Sequence, residues 1–90
     1  MSVRSFTISN EGREPLGVVA NGQPKVVIDP FATSAVFFAN TTYKVFADLR
    51  GGEFPLFDVV FEGGQLSIKP TSIRPGTSPA AARIDAKYVF

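Results

Sequence analysis

Ninety residues without a cysteine make one small domain that apolar packing must hold together, since neither a disulfide nor a thiolate metal site can supplement the core. Nine basic and eight acidic residues are scattered along the chain and sum to a formal charge of +1, which argues against a nucleic-acid partner or an anionic membrane. Histidine is absent as well, so the commonest general base and the usual zinc and copper ligands are missing and most hydrolase schemes fall.

Turn-forming residues recur at Asn10-Glu11-Gly12, Asn21-Gly22, Asp29-Pro30, Asn40-Thr41, Gly51-Gly52, Gly63-Gly64 and Pro75-Gly76, and the segments between are rich in Val, Phe and Ile. That spacing predicts an all-β fold: a small antiparallel β-sandwich or partly open barrel of about 7–8 strands, with helix content near zero. Phe6 and Ile8 mark a first strand at about 3–9. Leu16-Gly17-Val18-Val19-Ala20 and Lys25-Val26-Val27-Ile28 flank Asn21-Gly22-Gln23-Pro24. Pro24 cannot donate to a ladder and is placed in the loop. A loop of two or four residues there puts Val19 on the same side as Val26 and Ile28.

Residues 34–69 read as a four-strand antiparallel meander. Its first strand, Ser34-Ala35-Val36-Phe37-Phe38-Ala39, is apolar on both faces, which suits a central strand or a strand with one face against another subunit. Tyr43-Lys44-Val45-Phe46-Ala47-Asp48 follows, and Gly51-Gly52 leads to Phe54-Pro55-Leu56. The sharpest local unit is Phe57–Glu62, Gly63-Gly64, Gln65–Lys69. A two-residue Gly-Gly loop supplies the positive φ angles of a type I′ turn and pairs Phe61 with Leu66, Val59 with Ile68 and Asp58 with Lys69.

Beyond Lys69 the segment to Ala82 carries Pro70, Pro75 and Pro79 and little apolar bulk, so 71–82 is expected to be an extended connector. Residues 83–90 alternate Ile84, Ala86, Tyr88 and Phe90 with Arg83, Asp85, Lys87 and Val89. This is a C-terminal strand, packed in its own domain or exchanged with a neighbour through the connector. The whole of 1–90 is one β domain.

Candidate chemistry is sparse. The acidic residues include no Asp-x-Asp or Asp/Asn-rich loop for calcium, and Asp58 is spoken for by Lys69 in the hairpin. The two Gly-Gly pairs precede neither a helix nor a Gly-Lys-Ser/Thr sequence, so they are turns and not phosphate loops. Asn40-Thr41-Thr42 matches a glycosylation sequon, but no signal peptide is expected at the start of the chain and no apolar run approaches the roughly 20 residues of a membrane span. No catalytic, cofactor-binding or metal residue is expected, and the chain is read as a non-enzyme without cofactors. Nine Phe exceed what so small a core encloses with ease, which makes Phe31, Phe38, Phe54, Tyr88 and Phe90 the interface candidates.

A cysteine-free, Phe-rich all-β chain of low charge, expected to carry no leader and with a Pro/Ser/Thr/Ala connector before a terminal strand, resembles the small structural proteins of tailed-phage virions. Head decoration or cement proteins are the nearest kind, and small tail components come next. The resemblance implies a virion component, made in the host cytoplasm, that forms homo-oligomers and meets other structural subunits of a capsid or tail. It implies no nucleic acid or membrane partner. Two other readings stand beside it: a small phage-encoded inhibitor or adaptor binding a host protein, and a carbohydrate-binding module using Tyr43 or Tyr88.

Overall fold

A computed structural model describes residues 2–49, 51–70 and 82–89. Among them there is no helix, and eight strands follow in order: β1 (Ser2–Asn10), β2 (Leu16–Ala20), β3 (Val26–Ile28), β4 (Phe37–Phe38), β5 (Tyr43–Leu49), β6 (Gly52–Glu62), β7 (Gln65–Pro70) and β8 (Ala82–Val89). They form two antiparallel sheets, a small one ordered β4-β1-β8 and a large one ordered β3-β2-β5-β6-β7. The all-β fold with about eight strands is therefore present. The expected connector lies outside the described residues except for Ala82, which opens β8, and Phe90 lies outside them too.

Alternation of side chains sets the faces. Phe6 and Ile8 of β1 are fully buried, and opposite them Ala86 and Ile84 of β8 are half-buried, whereas Arg83, Asp85 and Lys87 stand exposed. The β6–β7 hairpin has the predicted register, Phe61 with Leu66, Val59 with Ile68 and Asp58 with Lys69. Gly63 and Gly64 have φ of 58° and 79°, as a type I′ turn requires. Lys69 departs from expectation, because its ammonium bonds Glu62 at 2.6 Å and leaves Asp58 to lie between Lys44 and Lys69. Both carboxylates lie on the same strand face, and the exposed Lys69 side chain is long enough to reach along it.

The expected four-strand meander contains three strands, β5, β6 and β7. The segment 34–39 joins the other sheet instead, where two residues pair as Phe37 with Phe6 and Phe38 with Ser5. Ser34 explains why this strand is so short. Its hydroxyl accepts the Ile8 N–H at 2.9 Å and donates to the Ala35 carbonyl, so a side-chain oxygen stands where a strand carbonyl would take that N–H. The β2–β3 hairpin also differs: Val18 pairs with Val26 and Leu16 with Ile28, so Val19 faces the opposite side. The seven intervening residues, 19–25, are odd in number, and an odd loop inverts the facing that a loop of two or four would give.

Between Val45 and Phe46 the β5–β6 register shifts, leaving Leu56 as an extra residue on β6. This bulge turns two consecutive large side chains, Leu56 and Phe57, into the core and places Pro55 where a missing N–H is tolerated. Between the sheets, the Phe6 ring meets Phe37 at 5.4 Å, Tyr43 at 5.2 Å and Phe61 at 5.7 Å between centroids. Tyr43 is buried among these rings and donates its hydroxyl to the Phe38 carbonyl at 2.8 Å. Burial pushes its pKa above the ordinary 10.0.

At the end of β1, Asn10 is a buried polar side chain with each group partnered: its amide donates to the Glu14 and Ile28 carbonyls, and its carbonyl accepts the Gly12 N–H. One side chain thus fixes the turn after β1 and ties it to β3. On the outer face of the large sheet, the Phe46 ring lies over Gly17 with Lys25 5.8 Å above its centroid, and Lys25 in turn pairs with Asp48 and Glu53.

Two outcomes test this packing. A Cβ at Gly17 would stand 2.3 Å from the Phe46 ring, so Gly17→Ala must swing the ring into water and is expected to cost about 1–3 kcal/mol in urea unfolding. In a Phe46→Ala background the same change should cost much less. Because the folded state holds Tyr43 protonated, its contribution is intact below pH 10.0 and is lost as pH rises past it. Tyr43→Phe, at a neutral-pH cost of about 1 kcal/mol for the lost hydrogen bond, should lose less stability than the parent in alkaline unfolding titrations.

Candidate interaction surface

Asp29-Pro30-Phe31-Ala32 is a tight turn closed by the Ala32 N–H on the Asp29 carbonyl at 3.1 Å. Proline presets the second position, and the third takes positive φ, a place usually filled by glycine. Here it is Phe31, with φ 62° and 73% of its surface exposed. A left-handed conformation costs an L-residue about 1–2 kcal/mol, and nothing in the core uses this ring.

From that turn the chain runs along one side of β1. The Asn10 N–H donates to the Ala32 carbonyl, the Ser34 N–H to Ile8 and the Ala39 N–H to Arg4, each at 2.8–2.9 Å. Thr33 bridges Ser9 by backbone and by a hydroxyl contact at 3.1 Å. Phe37 enters the core, which turns its neighbours Val36 and Phe38 outward, 55% and 58% exposed.

Among the described residues the exposed large hydrophobic side chains are Val26, Val27, Phe31, Val36, Phe38 and Ile68. All but Ile68 fall in the thirteen residues 26–38, a run in which Asp29 is the single charge. Edge strands usually carry charge or proline to repel partners. This apolar, charge-poor run of chain, the 26–38 ridge, does the reverse; Val26 turns inward with Val18 and Val27 outward, so it is the run and not a single face that is the clearest candidate for binding.

The sequence candidates separate accordingly. Phe31 and Phe38 are on the ridge, whereas Phe54 is half-buried and packs against the core. Tyr88 is placed by its backbone opposite Val3 in β8, away from the β4 side of β1. Val26, Val27 and Val36 were not singled out by sequence. The signal available for the first two was adjacency, since neighbouring residues of one strand face opposite sides and two consecutive valines cannot both point inward.

Elsewhere the surface offers shallow hollows. One of about 270 Å³ on the outer face of the large sheet is lined by Val19, Phe46 and Pro55 with Lys44 and Asp58 at its sides. Another lies beside Phe31, between Glu11 and Arg83. Among the described residues no three acidic side chains gather as a metal site would need. No helix among them is long and apolar enough to cross a membrane. No protein-family model matches the chain, and neither a curated protein nor a solved structure does so.

Replacing Phe31 by glycine relieves the positive-φ strain while adding unfolded-chain entropy, so Phe31→Gly is expected to leave unfolding free energy unchanged or raised by up to about 1 kcal/mol. Thermal denaturation checks this, and a clear loss of stability would show that the ring supports the fold.

Proposed function

We propose that the chain is a non-enzymatic structural protein that binds and stabilises the capsid or tail lattice of a tailed-phage virion, with the 26–38 ridge as its docking surface. The observation that carries the binding reading is the concentration of five exposed apolar side chains in a run with one charge, including an aromatic residue held in strain. The resemblance in composition and connector to decoration proteins supplies the virion context. A protein that binds only the assembled lattice stabilises it by mass action, and many copies sum small individual contributions.

An inhibitor or adaptor acting on a host protein would use the same ridge and is the second reading. The carbohydrate reading loses one of its two platforms, because Tyr43 is 3% exposed and its hydroxyl is taken by Phe38.

Mass spectrometry of purified particles produced with the gene present is expected to find the chain in many copies per particle, and particles lacking it should lose heat resistance. Phe38→Asp, on an exposed position, should leave the isolated chain folded by circular dichroism and reduce its incorporation at least about tenfold. Absence of the parent chain from particles would overturn the virion reading. Undiminished incorporation of Phe38→Asp would overturn the assignment of the ridge.

A further inference from the structure

The two sides of β1 are unlike. Opposite β8, it is sealed by Ala32, Ser34, Ala39 and finally the β6–β7 turn, where the Val3 N–H donates to the Gly64 carbonyl at 2.8 Å. On the other side lies β8, the last strand of the small sheet, and no described strand pairs with its outer edge. The hydrogen-bond directions follow from Ile8. Its N–H goes to the Ser34 hydroxyl and its carbonyl accepts from the Ser34 N–H, so both point away from β8. The residue opposite it, Ile84, therefore turns its own N–H and carbonyl away from β1, and Ala86 does the same two positions on.

We propose that β8 pairs antiparallel with β8 of a second copy of this chain, about a two-fold axis at Ala86, giving a dimer with one continuous six-stranded sheet. The charge pattern selects the partner and the register. The outward face reads Arg83, Asp85, Lys87, all exposed. With Ala86 opposite its own copy, Asp85 meets Lys87 of the second copy and Lys87 meets its Asp85, and the ladder runs from 83 to 89. Shifting the axis one residue, to Asp85, sets Asp85 against Asp85 and Arg83 against Lys87, which are like charges. An axis at Ile84 restores opposite charge, Arg83 with Asp85, but pairs only 82 to 86 of the strand. Asp85 also lies 3.5 Å from Arg83 of its own strand, a contact between exposed groups that pairing leaves in place.

The β7 edge is a weaker template, since it ends in Pro70 and carries no pair of opposite charges to set a register against a second copy. Pairing through β8 does not require the lattice reading. A dimer is expected whatever the larger partner is, and the test uses the purified chain alone.

Charge reversal should spare the fold, because within the chain Asp85 faces Thr7 and Lys87 faces Ser5. In sedimentation equilibrium the parent chain is expected to be a dimer. Asp85→Lys and Lys87→Asp should each raise the dissociation constant about tenfold or more, and the double exchange should restore it. Arg83→Glu should have little effect, and circular dichroism should report folded protein throughout. A monomeric parent at every concentration would overturn the proposal. So would a dimer indifferent to these reversals, or one that Arg83→Glu alone disrupts.

Discussion

The contact on which the fold depends is the Phe6 ring set between the sheets. It touches Phe37 from its own sheet and Tyr43 and Phe61 from the facing one, and it is wholly buried. A 90-residue chain without cysteine has no covalent tie, so the two sheets are joined by this cluster and the aliphatic side chains around it. Tyr43 extends the joint to the backbone through its bond to the Phe38 carbonyl, which holds the two-residue β4 in place. That anchor adds to the backbone bonds of Ala32, Ser34 and Ala39 and to the buried Phe37, which hold the segment to β1.

An unequal sandwich follows. Three strands face five, and the smaller sheet cannot cover the inner face of the larger one. Val26 and Ile68 show it: each pairs across its strand with a buried inward residue, Val18 and Val59, yet they are 37% and 49% exposed. Sealing one side of β1 with the 32–39 segment spends the apolar residues of that segment on backbone proximity, so Val36 and Phe38 end in solvent. The other side of β1 is occupied by β8, whose outer edge faces no described strand. The two surfaces differ in kind. The ridge would bind through side-chain burial and β8 through main-chain bonds directed by charge, and a subunit with two non-equivalent surfaces is what an extended assembly uses.

The parts of this fold legible in the sequence were those fixed locally. Gly63-Gly64 supplies the positive φ angles of a two-residue type I′ turn, and the alternation on either side agrees with it, so the 57–69 hairpin could be read to the residue pair. The β8 alternation was equally plain. What escaped depended on distant partners or on a count of one. Nothing within 34–39 tells whether it pairs with the strand after it or with β1, and the Ser34 hydroxyl that truncates it acts on Ile8, 26 residues earlier. Val19 was misplaced by the parity of one loop. Leu56 and Phe57 look like one inward and one outward residue until the bulge beside Pro55 is known. Asn10 reads as a turn residue in sequence, and its burial follows from carbonyls at 14 and 28 that converge only in the fold. Of the interface candidates, Phe31 and Phe38 were legible as surplus aromatics, whereas the ridge they share required the path of 26–38.

The margin of stability bears on the ridge as well. Domains of this size retain only about 5–15 kcal/mol against unfolding. Phe31 draws on that margin through its backbone and returns nothing through burial, and glycine, the residue the turn favours, would relieve the strain. Burying a large apolar side chain brings roughly 1.5–3 kcal/mol, so covering Phe31, Val36 and Phe38 would offset the strain several times over. Such covering would leave the Phe31 backbone as it is and act through burial alone, so under the proposed function the free chain would be the costlier state. This is the energetic order expected of a protein whose structure is completed by a partner.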